Sequence, residues 1–264
     1  MNWLNIEKKV VIVTGASSGI GQAIAEELCS LGAFVVNGDV NEGKLVHKNL
    51  TFVQTDVTSR KSIENLVSLT MNKFGRIDAL VNNAGVNVPA LLADSQEKSQ
   101  YELTDELFEK MTNINQKGVY LVSQMVGKIM LKQKEGVIIN MSSEAGLEGS
   151  EGQSCYAATK AAVNSFTRSW AKELGKKGIR VVGIAPGIME ETGLRTINYE
   201  TALAYTRGKT VEEIREGYSQ TSTIPLGRSG KLSEIADAVA YLISDKASYI
   251  SGVTVNVAGG KTRG

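Results

Sequence analysis

The chain has 264 residues, of which 42% are hydrophobic, with a formal net charge of +1 and two cysteines. This composition supports a buried core, while the near-neutral charge argues against nucleic-acid binding and two cysteines imply no disulfide framework. No stretch reaches the roughly 20 apolar residues of a membrane helix, and no apolar signal segment opens the chain, so we expect a soluble cytoplasmic protein.

Apolar, β-branched runs alternate with helical patterns along the chain. Strands are predicted at residues 10–14, 33–39, 51–55, 79–82, 136–141, 180–185 and 253–257. Helices are predicted at residues 20–31, 59–74, 104–132, 156–177 and 232–243, with Ser59 as an N-cap. Continuous apolar strands alternating with helices are typical of a parallel sheet covered on both faces. We predict a single α/β domain over residues 1–264, a Rossmann-type doubly wound parallel sheet of about seven strands.

Two segments interrupt this alternation. Residues 87–103 form a long polar connection, and residues 189–224 lie between a Pro-Gly turn and the last predicted helix. Long insertions after strand ends commonly form binding loops or lids. We therefore interpret residues 189–224 as a lid over a substrate site.

The single histidine restricts the chemistry. His47 lies in a polar stretch that we interpret as an exposed loop. A serine–histidine–aspartate hydrolase needs its histidine beside a nucleophile, and a zinc site with two histidines is impossible. We expect no metal site.

A glycine-rich turn follows the first predicted strand. Gly15, Gly19 and Gly21 allow the backbone to turn sharply and to approach a ligand closely. The helix that begins there offers unpaired N–H groups to a pyrophosphate. The spacing differs from the commoner G-x-G-x-x-G motif, and a turn that only packs helix on strand is the alternative interpretation.

Asp39 ends the second predicted strand, eighteen residues after Gly21. An acidic side chain there can accept hydrogen bonds from a ribose, and it would repel the additional phosphate of NADP. Neither Ser18 nor Val40 is a basic residue that could bind that phosphate. The sequence therefore favours NAD, although Asp39 could also be an ordinary turn residue.

Tyr156 and Lys160 are four residues apart on a predicted helix, so their side chains share one face. A free phenol has a pKa of about 10 and is a poor base, but a neighbouring ammonium group is expected to lower that pKa. An ordinary exposed Tyr–Lys pair is the alternative. The proximity of Ser143, Asn83 and Asn115, which we expect at one crevice of the parallel sheet, favours a catalytic pair.

The chain resembles the short-chain dehydrogenase/reductase family over essentially its whole length. The matching elements are TGASSGIG (14–21), Asp39, Asp56-Val57, NNAG (82–85), Asn115, Ser143, YAATK (156–160), Pro186-Gly187 and SGVTVNVAGG (251–260). One departure is Thr192, which stands five positions beyond Gly187 where the family usually has a threonine four beyond.

The resemblance implies the catalytic roles. Tyr156 would act as general base in oxidation and general acid in reduction, and Lys160 would lower its pKa and hold the nicotinamide ribose. Ser143 would bind the substrate oxygen, and Asn115 would anchor a water that relays the proton. The implied NAD-binding residues are Gly15, Ser17, Ser18, Gly19, Ile20, Gly21, Asp39, Asp56, Val57, Asn83, Ala84, Gly85, Tyr156, Lys160, Pro186, Gly187 and Ile188.

The predicted lid is rich in positive charge. Arg195, Arg207 and Lys209 are the candidate substrate residues, together with Ser143 and Tyr156, and further cations are Arg215, Lys261 and Arg263. The lid and the C-terminal residues resemble family members that act on phosphorylated sugar alcohols. A phosphorylated polyol would give these cations a function, since arginine binds phosphate bidentately. The alternative is that they are solvated charges on an exposed helix.

Three other interpretations remain open. The chain could be another sugar or polyol dehydrogenase of the family, an acyl-carrier-protein ketoreductase, or a non-catalytic NAD-binding regulator. Asp39 disfavours the NADPH-dependent ketoreductases, and the regulator predicts loss of a catalytic residue that is present here. The family resemblance also implies a homotetramer, with the last helix and strand at an interface.

Overall fold

The structure, a computed structural model, describes residues 3–97, 99–193, 195–219 and 223–261. Its centre is a seven-stranded parallel sheet with the strand order β3-β2-β1-β4-β5-β6-β7. The strands are β1 (Val10–Thr14), β2 (Phe34–Asp39), β3 (Leu50–Gln54), β4 (Ala79–Asn82), β5 (Gly136–Met141), β6 (Ile179–Pro186) and β7 (Thr254–Val257). The predicted fold class is confirmed.

Helices connect the strands and cover both faces of the sheet. They are α1 (Gly19–Ser30), α2 (Arg60–Phe74), α3 (Asp105–Thr112), α4 (Val119–Gln133), α5 (Ala145–Glu148), α6 (Ser154–Leu174), α7 (Ile197–Thr206), α8 (Val211–Ser219) and α9 (Leu232–Ile243). The predicted N-cap is present, because the Ser59 side chain accepts a hydrogen bond from the Ser62 N–H.

Alternation along each strand sends neighbouring side chains to opposite faces. In β1, Val11 and Val13 pack in a core with α1 and α9, whereas Ile12 packs in a second core with α2 and α4. All three valine and isoleucine side chains are completely buried. The two cores explain why the strands are apolar at every position, as expected for a sheet covered on both sides.

The prediction of one long helix over residues 104–132 is wrong in one respect. A wider π-helical turn, Asn113–Gly118, separates α3 from α4. Single π turns inside helices frequently occur at functional sites. Gly118 allows this turn to approach the loop after β3, since a Cβ at that position would lie 2.9 Å from Cγ2 of Val57.

The predicted lid contains two helices with a small core of their own. Leu203 of α7 and Ile214 of α8 are buried against each other. The polar connection 87–103 contacts α7, because the Tyr205 hydroxyl donates to Asp94 at 2.7 Å and the Tyr205 ring stacks on Tyr101. Two insertions that are far apart in sequence therefore support one another.

His47 lies in a loop, as predicted, but the prediction that it is exposed is wrong. The residue is half-buried, and its Nδ1 accepts a hydrogen bond from the Asn49 N–H at 3.1 Å. Within the described part of the chain, none of the helices combines the length and the apolar character needed to cross a bilayer.

Candidate active site

A cleft of about 550 Å³ opens at the carboxyl ends of the strands. From β1 the chain adds β2 and β3 toward one edge of the sheet, and from β4 it adds β5, β6 and β7 toward the other edge, so the direction reverses between β1 and β4. Open α/β sheets bind ligands in the crevice at such a switch point. The volume falls within the range of ordinary small-molecule sites.

The glycine turn between β1 and α1 forms one wall of this cleft. Gly15 and Gly19 have φ values of +67° and +54°, which other residues adopt only under strain. A Cβ at Gly21 would lie 2.1 Å from the Gly15 carbonyl oxygen, so only glycine fits there. Ser18, the N-cap of α1, makes no side-chain cap hydrogen bond, which leaves the first N–H groups of α1 facing the cleft. This arrangement fits a pyrophosphate.

Asn83 ties the glycine turn to the end of β4. Its side-chain amide donates to the carbonyl oxygens of Thr14 and Gly15 at 3.1 and 3.0 Å. The Thr14 hydroxyl in turn accepts from the backbone N–H groups of Asn83 and Ala84. Asn83 therefore lines the cleft and also fixes the shape of the turn.

Asp39 lies at the end of the cleft near Asp56 and Val57, as predicted. Its two carboxylate oxygens accept from the backbone N–H groups of Ser17 and Asn41. Among the described residues, the basic side chains that line the cleft are Lys160, Arg195, Arg207 and Lys261. None of them belongs to the segments around Asp39, so this end fits the unphosphorylated ribose of NAD better than that of NADP.

Ser17 is a predicted cofactor residue that the structure does not place in the cleft. Its hydroxyl donates to the Asn41 carbonyl oxygen and accepts from the Asn37 side chain. These contacts direct Ser17 toward the loop after β2. The other predicted cofactor residues all line the cleft: Gly15, Ser18, Gly19, Ile20, Gly21, Asp39, Asp56, Val57, Asn83, Ala84, Gly85, Tyr156, Lys160, Pro186, Gly187 and Ile188. Thr192 also lines it.

The structure brings Ser143, Tyr156 and Lys160 together. Lys160 is buried, its Nζ donates to the Met141 carbonyl oxygen at 2.7 Å, and it lies 5.7 Å from the centre of the Tyr156 ring. Burial lowers the pKa of Lys160 to about 8. The amine therefore remains largely protonated at neutral pH.

The expected lowering of the Tyr156 pKa is not found. Burial raises the pKa of Tyr156, hydrogen bonding with Ser143 opposes the rise, and the charge of Glu144 adds to it. The Lys160 ammonium is directed toward the Met141 carbonyl oxygen, so it does not compensate for burial. Tyr156 is thus a protonated phenol in this state of the protein.

Asn115 is completely buried and lies behind the cleft rather than in it. Its Oδ1 accepts from the Val86 N–H, and its Nδ2 donates to the Val86 carbonyl oxygen, both at 2.8 Å. Nδ2 also donates to Thr159 at 3.2 Å. Both polar groups of the Asn115 side chain are therefore used inside the protein, where they hold the backbone of Val86, a residue that lines the cleft. The role of Asn115 as the anchor of a water stays a prediction.

The predicted substrate cations differ in position. Arg195 and Arg207 line the cleft, whereas Lys209 is exposed and does not line it. Gly208, with a φ of +58°, turns the chain at the end of α7 and directs Lys209 away. Arg263 lies outside the described residues.

Several cleft residues were missed in the sequence. Glu144, Gln153, Tyr199 and Tyr218 line the cleft, and Lys261 Nζ pairs with Glu144 Oε1 at 2.7 Å. Glu144 directly follows Ser143, and Gln153 precedes Tyr156 by three residues, so proximity to the motifs was an available signal for these two. No local pattern marks Tyr199 or Tyr218.

Comparison with known proteins decides the family. The family model described as "short chain dehydrogenase" matches residues 9–202. The chain belongs to the short-chain dehydrogenase family. The predicted resemblance is thereby confirmed, and the protein is an oxidoreductase.

Relatives cover nearly the whole chain. The sorbitol-6-phosphate 2-dehydrogenase of Klebsiella pneumoniae is 60% identical, with 99% of each chain covered. The 3-oxoacyl-[acyl-carrier-protein] reductase of Thermotoga maritima is 37% identical, over 97% of this chain and 99% of that protein. A crystal structure of 3-ketoacyl-(acyl-carrier-protein) reductase from Brucella melitensis complexed with NADH is 28% identical, has a TM-score of 0.82, and is matched over 98% of this chain and 100% of that one.

Proposed function

We propose that the protein is an NAD-dependent dehydrogenase that interconverts D-sorbitol 6-phosphate and D-fructose 6-phosphate. The observation that carries this proposal is the 60% identity to the Klebsiella pneumoniae sorbitol-6-phosphate 2-dehydrogenase over 99% of both chains. The site supports it, because the cleft that holds Ser143, Tyr156 and Lys160 also carries arginines able to bind a phosphate.

The proton is handled by three side chains in this proposal. The Ser143 hydroxyl binds the substrate oxygen, and the Tyr156 hydroxyl exchanges a proton with that oxygen. Tyr156 is protonated in the described state, which is the form that donates a proton when a ketone is reduced. In alcohol oxidation Tyr156 must first release its proton, and the ammonium of Lys160 stabilises the resulting phenolate.

The residues of the cofactor end would hold NAD. The glycine turn and the first N–H groups of α1 would bind the pyrophosphate, and Asp39 would bind the adenosine ribose. Bound NAD supplies a nicotinamide ring that accepts hydride from the substrate carbon. Lys160 would hold the nicotinamide ribose, and Ile188 would lie beside the carboxamide.

An acyl-carrier-protein reductase is the second candidate, because such enzymes are 36–37% identical to the chain. The lower identity and the carboxylate of Asp39 at the ribose end favour the polyol phosphate. A non-catalytic regulator is disfavoured, since Ser143, Tyr156 and Lys160 are all present and adjacent to one cleft.

We also propose how the chain is organised and where it acts. Residues 1–264 form one dinucleotide-binding domain in which residues 189–224 are the lid. The protein is cytoplasmic and a homotetramer, with α9 and β7 at an interface. These proposals rest on the family resemblance, and light scattering of the purified protein tests the tetramer.

An NADH-linked screen tests the proposed function. Initial rates would be measured with NAD and with NADP, on free and phosphorylated polyols and, in reverse, on 3-oxoacyl thioesters. We expect the highest kcat/KM with sorbitol 6-phosphate and NAD. Higher kcat/KM with an oxoacyl thioester and NADPH would establish the second candidate instead.

A further inference from the structure

Three cationic side chains line the cleft in addition to Lys160, and they differ in whether a carboxylate neutralises their charge. Arg195 is paired with the buried carboxylate of Glu200 at 3.2 Å, and Lys261 is paired with Glu144 at 2.7 Å. Arg207 forms no ion pair with any carboxylate of the described residues. Its charge is therefore the least compensated of the three.

Arg195 is a poor candidate for binding an anion directly. Its guanidinium lies 3.9 Å above the Tyr218 ring and is bonded to Glu200. Glu200 is only 5% exposed and also pairs with Arg215 at 2.8 Å. Arg215 and Arg195 together hold the pKa of the Glu200 carboxyl group below its usual range. Arg195 is thus held between α7 and α8 with its charge neutralised by Glu200, although its Nε is buried without a hydrogen-bond partner among the described residues.

Arg207 is oriented by neutral groups only. Its Nη2 donates to the Ser150 hydroxyl at 3.2 Å, and its Nε donates to the Glu151 carbonyl oxygen at 3.4 Å. A guanidinium carries five N–H donors, so these two bonds fix its plane and leave donors for a ligand. Planar donor pairs of this kind match the oxygens of a phosphate.

A chain of hydrogen bonds extends from Arg207 toward the reacting groups. The Ser150 hydroxyl donates to Gln153 Oε1 at 2.7 Å, and Gln153 Nε2 donates to the Tyr199 hydroxyl at 2.8 Å. Burial raises the pKa of Tyr199, so its hydroxyl stays protonated. Arg207, Ser150, Gln153 and Tyr199 all line the cleft. Gln153 directly precedes α6, and Tyr156 follows Gln153 in that helix by about one turn, roughly 5 Å along the helix axis.

We propose that Arg207, Ser150 and Tyr199 form the subsite that binds the phosphate of the substrate. The inference rests on the proposed function and deepens it. The phosphorus of a six-carbon polyol 6-phosphate is six bonds away from the carbon that reacts at position 2, so its subsite must lie apart from Tyr156. The hydrogen bonds through Gln153 join the proposed subsite to the start of α6, the helix that carries Tyr156. Arg195 and Lys261 then shape the cleft without contacting the phosphate.

The test compares kcat/KM for sorbitol 6-phosphate and for free sorbitol, with NAD, in the wild type and in Arg207→Gln. Losing a charged hydrogen-bond donor typically weakens binding by roughly 10- to 100-fold. We expect a loss of that size for the phosphate ester, chiefly in KM, and a much smaller change for free sorbitol, so that the ratio of the two kcat/KM values falls. Arg207→Lys keeps the charge but not the paired donors, so its preference for the phosphate ester should lie between those of the wild type and of Arg207→Gln.

Lys209→Gln is the matched control, since it removes a cation two residues away that does not line the cleft. It should behave as the wild type. Retained binding of NADH, followed by fluorescence, shows that Arg207→Gln is folded. The subsite is wrong if Arg207→Gln keeps the wild-type preference for the phosphate ester, or if Arg195→Gln alone abolishes it. A wild type that shows no preference would instead contradict the proposed substrate.

Discussion

Tyr156 lies where burial and the charge of Glu144 both favour its neutral form. A buried phenol is a suitable acid and a reluctant base, so its activity as a base depends on the groups that contact it. Ser143 is the hydrogen-bonding partner that works against the raised pKa of Tyr156. The reaction thus depends on a cluster of groups and not on the Tyr–Lys spacing alone.

Tyr156→Phe removes the hydroxyl and keeps the ring. We expect kcat to fall about 100- to 10,000-fold in both directions, the usual contribution of a general acid–base group, while NADH binding followed by fluorescence is retained. Tyr120→Phe is the control, because Tyr120 is exposed on α4. A Tyr156→Phe protein with more than a tenth of wild-type kcat would contradict the assigned role.

Lys160 makes stability depend on pH. Its folded-state pKa of about 8 lies below the ordinary value of 10.5, so between these pH values the unfolded chain binds more protons than the folded protein. The free energy of unfolding of the wild type, minus that of Lys160→Met, should therefore rise with pH from 8 to 10.5, by up to about 3 kcal/mol.

Urea denaturation of both proteins without cofactor, at a series of pH values, measures this difference. Subtracting the variant removes the contributions of the other titrating groups. A difference that stays constant over the range would show that Lys160 has an ordinary pKa in the folded protein, and a difference that falls would show a raised pKa; either result would contradict the prediction.

At the scale of elements, the turn between β1 and α1 has room for glycine only. Gly21→Ala places a Cβ against the Gly15 carbonyl oxygen and the Asn83 side chain, so the turn must open. We expect the Kd for NADH to rise at least about tenfold and stability to fall by about 1–3 kcal/mol.

Gly127→Ala is the matched control for this change. Gly127 lies inside α4, and a Cβ there meets no atom within 4 Å. Replacement of a mid-helix glycine by alanine should stabilise the protein by up to about 1 kcal/mol and leave the Kd for NADH unchanged. Equal effects of the two variants on NADH binding would contradict the account of the turn.

Elements with a strong local pattern were predictable from the sequence. The bounds of β1, β4 and β5 match those expected from their apolar runs. The π-helical turn Asn113–Gly118 was not predictable, because its hydrogen bonding depends on contacts made elsewhere in the fold. Asn115 bonds with the backbone of Val86, a residue 29 positions earlier, and no local spacing encodes that contact.

At the scale of the whole molecule, the residues predicted to bind the cofactor, except Ser17, come together in one cleft, whereas the predicted substrate cations do not all reach it. The glycines and Asp39 lie within short sequence motifs and interact with the backbone nearby, so the motif alone identifies them. The substrate half is built from long-range pairs such as Arg207 with Ser150 and Lys261 with Glu144. Charge alone therefore could not separate Arg207 from Lys209 in the sequence.

The segment that we propose as a lid is held by contacts to two separate parts of the fold. Gln153 bonds with Tyr199, Arg207 bonds with Ser150, and Tyr205 bonds with Asp94. These contacts place α7 against the segment that leads into α6 and against the connection 87–103. The helix that carries Arg207 and the helix that carries Tyr156 are thereby joined around one cleft.

We propose that this cleft moves hydride from carbon 2 of sorbitol 6-phosphate to NAD. The most direct test supplies sorbitol 6-phosphate deuterated at carbon 2 and measures both products by mass spectrometry. The account predicts fructose 6-phosphate without deuterium and NADH that carries one deuterium. Formation of unlabelled NADH, or of no NADH at all, would contradict it.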